Sequence, residues 1–179
     1  MTQPNGSAEK AEVHGHFTAW FVDADGVELW REEFDNVVTT VGKNLALDTY
    51  LAGSAYTVTG PFLGLISDNT FSATAAGDTM ASHTGWKEAG GVNDPTYTGN
   101  RKTAAWSAAS AGSKALSAAA AFAITSNATC EGAFLVFGTG AVNTKDDTNG
   151  TLYSAGVFTG GAQAVTSGGT LNVSYTASL

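Results

Sequence analysis

The segment Thr170-Leu171-Asn172-Val173-Ser174-Tyr175-Thr176-Ala177-Ser178-Leu179 decides the fold class. Leu171, Val173, Tyr175, Ala177 and Leu179 fall on one side of an extended chain; Asn172, Ser174, Thr176 and Ser178 fall on the other. A period of two is what a strand with one buried face requires. The same rhythm recurs upstream. Gly132–Phe137, Leu152–Phe158 and Gln163–Thr166 are short apolar runs set between glycine-rich turns, and Asn143–Gly150 is a polar, exposed loop. Short strands punctuated by turn signals predict an all-β sandwich or barrel.

The N-terminal third begins with a polar stretch, residues 1–10, expected to be a flexible arm before a single domain spanning 11–179. Phe17, Ala19 and Phe21 alternate with Thr18, Trp20 and Val22, and Val27–Phe34 reads as the returning strand. Asp23-Ala24-Asp25-Gly26 forms the turn between them, with Gly26 supplying positive φ. Trp20 and Trp30 are expected to be cross-strand neighbours. The period then changes. Val38, Val41, Leu45 and Leu51 suit one helical face, Asp35-Asn36 suits a cap, and Gly53 suits a stop. This predicts one short helix near residues 37–52, the alternative being a loop with two helical turns.

Pro61–Ile66 reads as a central strand buried on both faces, and Phe71–Ser82 as a long connection. A turn cluster occupies Gly90–Pro95, and Trp106 marks another short strand. Ala115–Ile124 is ambiguous. Alanine favours helix, yet Leu116, Ala118, Ala120, Phe122 and Ile124 form a period-two face. Its neighbours are strands, so it is read as a strand.

Composition narrows the function classes. Hydrophobic residues make up 43% of the 179-residue chain, enough for one core. Charged residues are 13%, about half the usual share, and Gly, Ala, Ser and Thr fill the deficit. Such a surface suits either close, flat contact with other proteins or a solvated Thr/Ser-rich sheet. The net charge of −8 and the lack of a Lys/Arg cluster argue against binding nucleic acid or an anionic membrane. Cys130 is the only cysteine and precedes an apolar run, which reads as a buried thiol in a reducing compartment. Met1–Ser7 has neither the basic nor the apolar region of a signal peptide, so a cytoplasmic site of synthesis is expected.

No catalytic, cofactor or metal constellation emerges. His14 and His16 share a strand face, but His83 is remote and no Cys or Glu pattern joins them. Asp23-Ala24-Asp25-Gly26 begins like a calcium loop, but its twelfth position is Phe34. Glu32 and Glu33 point to opposite faces and cannot form a glycosidase pair. There is no Gly-x-Ser-x-Gly elbow, and Gly138-Thr139-Gly140 lacks the rest of a dinucleotide loop. The tryptophans Trp20, Trp30, Trp86 and Trp106 read as core anchors or interface contacts before a sugar-stacking groove.

The run Gly77–Glu88, then Tyr97, Arg101 and Trp106, then Gly132–Leu135, Gly150–Phe158 and Gly169–Thr176, resembles small virion proteins of tailed bacteriophages, particularly head decoration or cement proteins. The resemblance covers residues 60–179 and leaves 13–52 outside it. It implies an antiparallel, jelly-roll-like β-sandwich with no catalytic residues. It further implies a homo-oligomer, dimer or trimer, on the outside of the capsid, with the major capsid protein as partner. The chain would be made in the bacterial host cytoplasm and reside on the virion. A tail- or fibre-associated module binding host glycans is the alternative. A virion enzyme such as a cell-wall hydrolase is the third reading, and no convergent site in the sequence supports it.

Overall fold

The computed structural model describes residues 12–51 and 59–178. The expected N-terminal arm, Gly53 and Leu179 lie outside the described residues.

The chain is mainly antiparallel β-structure with one helix, as its alternation dictates. The first hairpin pairs β1 (His14–Val22) with β2 (Glu28–Val38). Its turn is closed by Asp23, whose carboxylate accepts from the backbone N–H groups of Asp25 and Val27. The closing strand β11 (Thr170–Ser178) lies along the other side of β1, matching Phe17 with Tyr175 and Ala19 with Val173. Beyond β11 come two short strands, β6 (Ser113–Ala115) and β7 (Ala120–Ala123), which complete the first sheet.

The second sheet is built on β3 (Phe62–Ser67), β8 (Ala128–Phe137) and β9 (Thr151–Val157). Three short pieces extend it. β4 (Lys87–Glu88) and β5 (Lys102–Thr103) pair with β3, and β10 (Gln163–Val165) pairs with β8. β2 joins the sheets: its first part pairs with β1, and Asn36–Val38 pairs with β9. The path is β4-β3-β8-β9-β2-β1-β11-β6, a sandwich-like all-β arrangement that does not by itself establish jelly-roll connectivity.

The main core lies between the sheets. Phe17, Phe21, Phe34 and Tyr175 from the first meet Leu63, Leu65, Ala133 and Leu135 from the second. A second apolar cluster lies on the far face of β3, β8 and β9, where Met80, Trp86 and Ala141 from the connecting segments cover Ile66, Phe134, Val136 and Leu152. Both faces of the second sheet are therefore buried. This is why Pro61–Ile66 and Ala133–Phe137 are continuous apolar runs, whereas β1 and β11 alternate.

Five expectations are corrected. Trp20 stands opposite Arg31, and Phe21 opposite Trp30, so the two tryptophans sit on opposite faces of the hairpin. The helix, α1 (Thr40–Leu51), starts later than residue 37 because β2 continues through Val38 to pair with β9. Its cap is Thr39, not Asp35-Asn36: the Thr39 hydroxyl accepts from the Gly42 N–H at 3.0 Å and donates to the Leu152 carbonyl of β9. The Ala115–Ile124 stretch is two strands rather than one. Leu116 donates to the Tyr175 carbonyl while Ser117 turns aside to donate to the Ala105 carbonyl, and Ala118 is left exposed. Trp106 forms a single bridge to Leu116 rather than a strand.

Candidate functional site

The four tryptophans do not converge. Trp86 is 2% exposed, packs 5.2 Å from Phe134, and donates its indole N–H to Asp78 at 2.9 Å. It is a core anchor with no surface to offer a partner, which removes it from the interface candidates. Trp30 is half-buried and donates to the Ala164 carbonyl at 2.7 Å, with its ring edge-on to Phe158. That bond ties β10 to the hairpin. Trp106 stands perpendicular to Tyr175 at 5.9 Å. Only Trp20 lies on the outward face of the first sheet, with the Arg31 guanidinium 4.7 Å above its ring. Arg31 is in turn held by both carboxylate oxygens of Glu28.

That outward face is ordered in rows, because residues opposed in register share a face. Arg31, Trp20, Asn172 and Ala121 form one row; Glu33, Thr18 and Ser174 the next; Asp35, His16 and Thr176 the third. None of them is buried. His16 Nδ1 lies 2.9 Å from an Asp35 oxygen, a bond within its own row. The face mixes the hydroxyl and amide side chains of Thr18, Ser174, Thr176 and Asn172 with the charged Arg31, Glu33 and Asp35, and its one aromatic ring, that of Trp20, is braced by an ion pair. The two sheets thus differ among the described residues: loops cover the outer face of one and leave that of the other open.

A buried ion pair went unassigned in the sequence. Arg101 is 2% exposed and Glu88 4%, and they bond through two contacts of 2.7 and 2.8 Å. Arg101 also donates to the carbonyls of Val142 and Asp147, and Glu88 accepts from the Asp146 N–H at 2.9 Å. Burial raises the Glu88 carboxyl above its ordinary value, against the opposing pull of Arg101. The 143–150 loop is exposed, as read, and its backbone at Asp146 and Asp147 also closes over the ion pair. Arg101 stands out beforehand as a charge in a charge-poor chain and as one residue of the phage-like pattern, and no local motif assigns it a partner.

The remaining candidates resolve into local roles. His83 stacks on Trp86 at 3.9 Å, far from the His14 and His16 strand. Among the described residues, no three His, Cys, Asp or Glu side chains are grouped to hold a metal ion. Cys130 is fully buried and its thiol is pushed up to about 12 by burial. Among the described residues no helix is long and apolar enough to cross a membrane.

No protein-family model matches the chain, and no curated protein or solved structure is detectably similar to it.

Proposed function

We propose that the chain is a non-enzymatic structural protein of a tailed-phage virion, a decoration protein that binds the outside of the head and bridges major capsid subunits. The observation carrying this reading is the asymmetry of the sandwich: among the described residues one sheet has both faces covered, and the other presents the Trp20 face uncovered. An aromatic anchor with polar and charged side chains about it matches the make-up of a contact surface with a polar rim. The resemblance of residues 60–179 to head decoration proteins supplies the biological setting, including the homo-oligomer. A plate that spans a subunit seam buries area only in the assembled shell and so stabilises that state by mass action.

The tail- or fibre-associated reading is weaker, because sugar stacking needs an open ring face and Arg31 already covers Trp20. Copy number separates the two: hundreds per particle for decoration, a handful for a tail.

Binding of the purified chain to heads assembled without it provides the test. Trp20→Ser combined with Ser174→Arg is expected to weaken binding by more than about tenfold, the size of a lost interface anchor, with thermal stability nearly unchanged. Binding that survives in the folded variant contradicts the assignment of this face.

A further inference from the structure

The two sheets leave a cavity of about 440 Å³ beside α1 and Pro61. The buried Leu135 and the rings of Trp106, Phe137, Tyr153 and Tyr175 line it. The Phe137 and Tyr153 rings are 5.0 Å apart, and Trp106 meets Tyr175 edge-on. The volume lies within the range of small-molecule sites. Among the described residues, the buried side-chain polar atoms without a hydrogen-bond partner belong to Asn36, Tyr97 and Ser154, none of which lines the cavity. Walls of this kind bind apolar matter in preference to water. Ala46 on α1 and Ala177 on β11 keep the space open, since larger side chains there would fill it.

One lining residue gives the site polarity. Lys114 is the only charged residue among the described residues around the cavity, and it is exposed at the mouth. Its ammonium donates to the Ser107 carbonyl at 3.1 Å, which leaves two further N–H donors free for a ligand. We propose that the cavity binds a free aliphatic monocarboxylate, its chain among the four aromatic rings and its carboxylate at Lys114. Charge complementarity selects this class: an open apolar cleft with a single cation at its edge favours an amphiphile with a single anionic end. The site is independent of the proposed docking face, which lies on the outward surface of the first sheet.

The test titrates the full chain with decanoate, decanol and decyltrimethylammonium below their micelle concentrations, following binding heat and the Trp106 indole N–H resonance. Decanoate is expected to bind about fivefold more tightly than decanol, the contribution of a partly exposed ion pair, and the cation most weakly. Lys114→Met should erase the difference between decanoate and decanol while leaving decanol binding intact. Ala177→Leu should weaken both by more than about tenfold by filling the chamber; Ala46→Leu is the second filling variant should the first not fold. An unmoved Trp106 resonance at saturating decanoate overturns the proposal. So does decanoate binding that persists in a folded filling variant, or decanol binding as tightly as decanoate in the parent chain.

Discussion

Arg101 shows how one residue organises a region without any regular structure. Its guanidinium neutralises Glu88 and holds two carbonyls of the 141–150 loop. Removing one member of such a pair leaves the other charge buried and uncompensated. Arg101→Met is therefore expected to cost about 3–5 kcal/mol in urea unfolding. Combined with Glu88→Met it should recover most of that loss, because the apolar pair needs no desolvation of charge; a double variant as unstable as the single contradicts this account. Cys130 gives a second residue-scale prediction. Its thiol rises from an ordinary 9.0 to about 12, so the fold favours the neutral form. That contribution is fully present below pH 9 and is lost as the pH climbs towards 12. Stability should fall across this window, and Cys130→Ala should flatten the decline in part. Only in part, because burial also pushes the Tyr97 and Tyr175 hydroxyls upward. An unchanged slope in the variant contradicts the assignment. The burial of Cys130 is legible in its apolar neighbours. The Glu88–Arg101 pair is not, since nothing within either segment says which opposite charge it will meet.

At the scale of elements, β3 and β8 are held in register by a glycine facing an aromatic ring. Gly64 stands opposite Phe134, and a Cβ added to Gly64 would sit inside that ring. Phe134 in turn packs against Trp86 and lies beneath the Arg101 guanidinium, so it has nowhere to retreat. Gly64→Ala is expected to destabilise by about 1–3 kcal/mol through overpacking, measured by thermal or urea unfolding. Adding Phe134→Leu should make the pair less damaging than the sum of its parts; strict additivity contradicts the contact. Elements were readable where solvent marks one face. β11 alternates because its outward residues remain wet, and β3 is continuous because both its faces are covered. The Ala115–Ile124 stretch misled because alanine is equally at home on an exposed or a covered face. Only the hydrogen bonds of Leu116 and Ser117 show where that strand breaks. The helix start was misplaced for a related reason: Val37 and Val38 satisfy a helical face and a strand equally well, and pairing with β9 decides between them.

For the whole molecule, the decisive property is the inequality of its two sheets. The 68–86 and 138–150 segments carry no periodicity, so the sequence could not reveal that they close over one sheet and leave the other bare. The open face joins the β1–β2 hairpin to β7 and β11 from the far end of the chain, which puts it beyond any local reading, although Trp20 within it was identifiable as an interface candidate. Two of those strands, β1 and β2, lie outside residues 60–179, for which the likeness to phage head proteins is proposed. The docking claim thus rests on geometry for its surface and on resemblance for its setting. An image reconstruction of the intact particle tests both together. The account predicts density for the chain at many sites on the outside of the head, with the outward rows of β1, β2 and β11 against the shell. Density confined to the tail, or a chain seated on the head through its loop-covered face, would contradict it.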